Sequence, residues 1–588
     1  MSNDSLDEWQ KLLDGRRYDN RLDPPYVDSV NLNIEMFNGN QWKNIEANGM
    51  PTPVFNIIKR AITFFVASIT SSKTSISLKP LEYADDESKQ TPEMKIQQKM
   101  ADLATAEIAN LFEKFKMDNR IRDALFKAAQ MGDVYSHIYF DMSKKPYGGM
   151  FGNVKGEICH ELLNGTNVHL GNPNNPIIST DTQPYIIVTG RDFVKRLKRE
   201  AKQFKKSKSE EDQISSDLDT QYEAGSMSQV EINSDENGKA LYIIIYTYDP
   251  DKDTILATKC TENAYMYKDV DTELSGYPVA NLLWEKQINQ SRGRALCTDI
   301  IPNQIYINRQ FALVMYHLMN AAFPKIIYNA DKISAITNMV AGSIAVKGVS
   351  PNENIMNYVG HLNPGAMSNE IIKVIDMAIN YTKEMIGIND AALGNINPEQ
   401  ASGIAIASTV RQASIPIENP RSNLYEYIED IGKILVNMMG INYGYRPIIV
   451  NQDGVRQKVM FDFTQLKNLW LNVKCDVGPS TFWSEQAQVE MLDNLLNRND
   501  ALFTMIDYLE TLPSNYKNED LIKRVKENLQ KQIDQQQIQD DKEAQFEQMA
   551  QWLESQPEEV QQRIMSLPEN EKEQVIMQMM QQAQALTM

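Results

Sequence analysis

Hydrophobic positions recur at three-to-four-residue intervals over long stretches of the second half of the chain. From 295 to 322 the run ALCTDIIPNQIYINRQFALVMYHLMNAA carries Ile301, Ile305, Phe311, Met315, Leu318 and Ala322 on one helical stripe, with Pro302 at a kink or first turn. Ser368 opens a second helix that sets Ile371, Ile372, Ile375, Ile379, Thr382 and Ile386 on one face and ends at Gly387. The spacing predicts two long antiparallel rods holding a small head, Phe323 to Met367, with short strands at Lys325–Tyr328 and Ser343–Val346. So small a head cannot hold a core alone, so its strands are expected to pair with neighbouring subunits. A loop rich in Gly, Asn and Pro (Asn389 to Ser402) follows. It leads to an apolar helix interrupted by Pro416 and Pro420, whose second half is expected to be capped by Asn419.

Elsewhere helix and strand patterns mix. Residues 1 to 30 read as a polar arm or short helix outside the core. Two helices flank a turn at Asn48–Pro51, and two more cover Glu93–Phe115 and Asp118–Met131. Strand alternation marks Ser75–Leu78, Val134–Met142, Glu157–Leu162, Asn167–Leu170 and Tyr185–Thr189. Leu241–Tyr248 is the strongest strand, with Ile255–Tyr267 supplying its partners. Asp192–Phe204 is a basic amphipathic helix, and Lys205–Lys239 is a polar stretch expected to form a mobile surface loop. Strands return at Tyr445–Val450 and Gln457–Phe463, helices at 481–532, and a Gln-, Glu- and Met-rich tail ends the chain. The fold class is α+β.

Composition narrows the functions this fold can carry. The net charge of −19 over 588 residues argues against gripping nucleic acid across the whole surface, because affinity for phosphates comes from cations. Cys159, Cys260, Cys297 and Cys475 form no CxxC and read as buried apolar residues. His137, His160, His169, His317 and His361 never pair at helical spacing, and no phosphate loop, HExxH or GxSxG is present. Asp251-Lys252-Asp253 fits a cation ligand or a strand-to-strand turn. Neither catalysis, cofactor nor metal is expected. No signal peptide is read, and Ala61–Ile69 falls far short of the roughly twenty residues that span a bilayer.

The order of rod, insert, rod, loop and broken helix resembles the portal proteins of tailed bacteriophages, closest to the short-tailed branch. Two further segments carry the likeness: FNGNQWKNIEANGMPTPVFNIIKRAITFFVASITSSKTSISLKP (37–80) and VKCDVGPSTFWSEQAQVEMLDNLL (473–496). The resemblance implies an arm (1–30), a wing (31–294, with returning strands at 441–480), stem helices (295–322 and 368–388) and a clip (323–367) between them. It also implies a tunnel loop (389–402), a kinked channel helix (403–440), a crown (481–535) and a helical tail (536–588). The expected assembly is a homo-oligomeric ring of twelve copies at one capsid vertex, made in the host cytoplasm. Double-stranded DNA would pass through it transiently, and terminase large subunit, head-tail adaptor, major capsid and scaffolding proteins would be its partners.

Copies at −19 each would repel a duplex, which suits a conduit. Asn395, Asn397 and Gln400 in the loop could contact phosphates without adding charge. Lys373 and Lys383 would face the tunnel, or else pair with Glu370 and Glu384. Lys325, Asp331, Lys332 and Lys347 are the clip residues expected to dock terminase or adaptor, and Ile375→Asp is expected to break packing between stems. A connector or adaptor without a packaging role is the alternative.

Overall fold

The structure is a computed structural model. It describes residues 6–70, 74–81, 91–145, 154–204, 211–217, 238–322, 325–333, 347–348, 350–362, 369–387, 417–452, 455–468 and 471–477, with isolated positions beyond. The chain divides into two units, Met1–Ser480 and Thr481–Met588. In the second unit the described positions are short helical pieces, where Tyr508 donates to Asp493 at 2.6 Å. The expected crown and tail lie almost wholly outside the described residues.

In the first unit, α1 (Asp7–Arg21), α2 (Tyr26–Asn38) and α3 (Ile57–Ile69) precede β1 (Thr74–Pro80). Next come α4 (Pro92–Phe115), α5 (Met117–Met131), β2 (Asp133–Asp141), β3 (Glu157–Asn164), β4 (Val168–Leu170), β5 (Tyr185–Phe193) and α6 (Val194–Gln203). Then follow β6 (Lys239–Asp249), β7 (Thr254–Cys260), β8 (Tyr265–Asp271), β9 (Val279–Leu283), α7 (Leu296–Ala322), β10 (Lys325–Tyr328), β11 (Val359–Leu362) and α8 (Asn369–Met385). Last are α9 (Glu418–Asn442), β12 (Tyr445–Gln452), β13 (Val455–Asp462) and β14 (Leu471–Val477).

The main core gathers α3, α4, α5 and α9 around a three-stranded sheet in the order β3-β2-β9. Its members include Ile62, Ile108, Leu125, Ile138, Tyr427 and Leu435, each fully buried or nearly so. Full burial of each large aliphatic among them stabilises the unit by roughly 1.5–3 kcal/mol before entropy is counted. A five-stranded antiparallel sheet, β4-β5-β6-β7-β8, lies beside it. Strand alternation gives β6 two faces: Leu241, Ile243 and Ile245 pack under Trp9 and Leu12 of α1, whereas Tyr246 joins the main core. Thus residues 7–21 form a helix, one of the two expected forms, but it packs on the sheet and does not lie outside the core. Its buried side carries Arg16 and Asp19 beside Trp9 and Leu12, so no apolar period announces it.

Three other expectations are corrected. The partners of β6 are β5 and β7, while β8 pairs with β7. Helix α9 begins at Glu418 with Ile417 at its cap, leaving Asn419 inside the first turn. In the polar stretch after α6, Ile214 is buried, Asp217 accepts from the Leu241 amide at 2.6 Å, and Arg191 ion-pairs Asp217 at 2.8 Å. That part is anchored to the sheet. Finally, β1 pairs antiparallel with β14, which joins the two segments 37–80 and 473–496 quoted for the resemblance.

Candidate assembly site at the paired helices

The base of α7 is fixed by a buried cation. Arg292, four residues before the helix, donates through Nε and Nη2 to the two Asp19 oxygens at 2.9 and 2.8 Å. Its Nη1 reaches Asp133 at 3.2 Å and the Gly165 carbonyl at 2.7 Å, and the guanidinium stacks on the Tyr26 ring at 4.3 Å. Tyr26 donates its hydroxyl to the other Asp133 oxygen, and His169 Nδ1 stands 3.3 Å from Asp19. One side chain thereby ties α1, α2, β2 and the turn before β4 to the start of α7. Burial alone would raise the Asp19 carboxyl, but the Arg292 charge and His169 override it and hold it at about 2. Asp133, fully enclosed, is pushed up by burial despite Arg292, and burial pushes the His169 imidazole down.

Backbone geometry reinforces the point. A Cβ on Gly132 would lie 2.1 Å from the Gly293 carbonyl oxygen, and one on Gly293 would lie 2.3 Å from the Gly132 oxygen. The two strands of chain touch backbone to backbone, and Gly132 does so at φ +100°, a conformation side chains disfavour.

Further along α7 two amides join Ile307 and Ala312 in the buried seam. Gln304 donates to the Phe55 carbonyl at 2.7 Å and accepts from the Ile57 amide at 2.8 Å. Asn308 donates to Gln41 and accepts from Gln304 at 3.0 Å, while Asn33 donates to Thr298 at 2.9 Å. These amides satisfy loop groups between α2 and α3 that would otherwise be buried without partners. Pro302 lies inside the helix, where it removes one backbone donor.

Beyond Ala312 the covering ends. Leu313, Met315, Tyr316, Leu318 and Met319 are exposed, Leu318 by 54%. On α8 the seam Ile375, Thr382 and Ile386 is buried, but Ile372, Val374, Met377, Tyr381 and Met385 are exposed, Tyr381 by 61%. The pair runs antiparallel, with Asn303 Nδ2 3.9 Å from Met385 Sδ. So the stripe read from sequence divides: Ile301 is buried, Ile305 and Phe311 are half-buried, and Met315 and Leu318 are open. Ile375 is 4% exposed within the single chain, so Ile375→Asp would damage the subunit itself and cannot report on contacts between copies.

At the end of the pair, β10 and β11 close a hairpin within the chain, Lys325 opposite Leu362. β10 thus has a partner within the chain, and Ser343–Val346 lies outside the described residues. Of the predicted docking residues, Asp331, Lys332 and Lys347 come together. Lys332 donates to the Gly348 carbonyl at 2.8 Å and stands 5.7 Å from the Tyr358 ring, and the Lys347 amide donates to the Lys332 carbonyl at 2.9 Å. Asp331, exposed, sits in the same turn with its amide on Asn329, and Lys325 stands apart at the start of β10. Lys373 is exposed on α8, whereas Lys383 is half-buried and, like Glu370, already has an interaction partner. Asn395, Asn397 and Gln400 lie outside the described residues.

His137, His160 and the Asp251-Lys252-Asp253 segment make internal contacts. His137 bonds the Tyr246 hydroxyl at 2.8 Å and His160 bonds Ser136 at 2.6 Å, and burial lowers them to about 4 and about 3. Asp253 accepts from Tyr248 at 2.8 Å in the turn between β6 and β7. Among the described residues, no three His, Cys, Asp or Glu stand close enough to hold a metal, and no helix is long and apolar enough to cross a membrane. Cys159, Cys260 and Cys297 are buried free thiols.

The paired helices are thus fixed at the base of α7 and keep much apolar surface uncovered. The family model for phage P22-like portal protein matches residues 134–588. The chain belongs to that family. It is a bacteriophage portal protein, a structural head-to-tail connector and a component of the virion. No curated protein matches it.

Proposed function

We propose that copies of this chain form a closed ring, twelve-membered as the resemblance implies, with α7 and α8 as the stem that faces neighbouring copies. The supporting observation is the uncovered apolar surface of Leu313, Leu318, Met319, Met377 and Tyr381 on helices whose other side is already packed. Exposed apolar patches on long rigid elements mark protein interfaces. The ring stands at one vertex of the capsid, nucleates its assembly, and passes double-stranded DNA in and later out. Asn395, Asn397, Gln400 and Lys373 line its channel, and Lys383 lies near it. The β10–β11 hairpin, with Asp331, Lys332 and Lys347, docks the terminase during packaging and the adaptor afterwards. Negative-stain images of the purified chain test this reading: annuli with a central opening are expected, and particles that remain single subunits would overturn it.

A further inference from the structure

A cleft of about 790 Å³ opens between α4 and the β12–β13 hairpin. Its wall is mainly apolar: Ala106 and Leu111 from α4, Tyr443 just after α9, and Pro447, Ile449 and Val450 from β12. The Glu107 carboxyl, 6% exposed, lines it as well. Asn110 gives one amide hydrogen bond to the Ile449 carbonyl at 3.0 Å and another to Oε2 of Glu107 at 3.2 Å, which holds the acid between helix and hairpin. The other Glu107 oxygen has no partner, and the carboxyl no ion pair, among the described residues.

The cations of the cleft are already engaged. Lys114 ion-pairs Glu157. Arg446 donates to the carbonyls of Tyr443, Gly156 and Lys155 at 2.9, 3.0 and 2.7 Å and stacks on the Tyr443 ring at 4.2 Å. Burial pushes the Glu107 carboxyl up to about 7, against the Asn110 hydrogen bond and the charges of Lys114 and Arg446. Glu107, Glu113 and Glu157 thus outnumber two committed cations, an excess that turns an anion away. A divalent metal asks for several oxygens, and among the described residues no three His, Cys, Asp or Glu stand close enough to hold one. A neutral apolar guest would leave the free Glu107 oxygen unsatisfied. What fits is an ammonium carried on an aliphatic stem.

We infer that this cleft binds a linear aliphatic diamine: one ammonium pairs with Glu107, the alkyl chain lies along the apolar wall, and the second ammonium meets Glu113, exposed at the rim. Glu113 lies six residues beyond Glu107 on α4, a rise of about 9 Å that a chain of about five carbons can bridge. A cleft of roughly 300–1,000 Å³ with an apolar wall and a few convergent polar groups is the usual form of a small-molecule site. Such a ligand ties α4 to the hairpin and stabilises the body by mass action. The inference goes beyond the ring reading and does not rest on it.

The test titrates the full chain with 1,5-diaminopentane by isothermal calorimetry. At about pH 8 one saturable site per chain is expected, and E107Q is expected to bind about tenfold more weakly or worse. Below about pH 7 the wild-type affinity should fall about tenfold per unit, because the carboxyl must release a proton before it pairs, and the heat at about pH 6 should vary with the ionisation heat of the buffer. These two readouts need only the wild-type protein, so they stand even where E107Q folds poorly. E113Q, at the exposed rim, should cost about two- to fivefold, and pentane-1,5-diol should give no saturable heat. Equal binding by E107Q, or an affinity that stays level between about pH 5 and 8, would put the diamine on the general acidic surface and overturn the inference. So would the absence of any saturable heat.

Discussion

At its start, α7 follows a buried guanidinium and buries two amides; after Ala312 it exposes Leu313, Leu318 and Met319. Polar groups are admitted among the buried apolar residues at one end, and apolar groups are left uncovered at the other. The difference separates two tasks. Bidentate and backbone hydrogen bonds have narrow angular tolerance, so the buried network sets the direction in which the helix leaves the body. The exposed apolar end makes no such angular demand.

The comparison breaks most readily at its polar end. Arg292→Met strands two enclosed carboxylates, and urea unfolding is expected to show a loss of about 3–5 kcal/mol. The pH dependence follows from Asp19, whose folded value of about 2 lies below its ordinary 3.8. Its contribution is complete above about pH 4 and is lost as pH falls through about 2; Asp19→Asn removes this acid dependence from the unfolding free energy.

A buried carboxyl without so direct a cation sharpens the contrast. Glu107, 6% exposed on α4 and bonded by Asn110, is raised by burial from 4.5 to about 7. A raised acid costs stability once the unfolded chain ionises, so Glu107→Gln should stabilise by about 3 kcal/mol above pH 7 and be neutral below about pH 4. Thermal unfolding across that range reads the difference. Asn308→Ala, which leaves Gln41 and Gln304 short of a partner, is expected to cost roughly 1–3 kcal/mol in urea. The smallest effect on the subunit belongs to Leu318→Asp with Met377→Asp. The lone chain should change by less than about 0.5 kcal/mol, yet annuli should disappear from electron micrographs.

Periodicity made α7 and α8 legible, since Ile301, Ile375 and Ile386 recur as a packed helix requires. It could not say which part of the stripe a second copy would cover. Nor could it foresee that Asp19, Asp133 and Arg292 meet, because nothing local links residues so distant in sequence. Gln304 and Asn308 gave a faint signal: two amides four residues apart on the buried side of an apolar helix. For Lys332 and Lys347, the resemblance places both residues in the insert, while their proximity depends on a turn no pattern encodes.

The β1–β14 pairing has a consequence for synthesis. Among the described residues β1 has no other strand beside it, and its mate is made only near residue 477. At about 5–20 residues per second, tens of seconds pass on the ribosome before that mate emerges. A product cut short anywhere before Leu471 keeps an unpaired strand edge, the feature that draws chains into aggregates. Pairing of β1 therefore waits until most of the chain has been made.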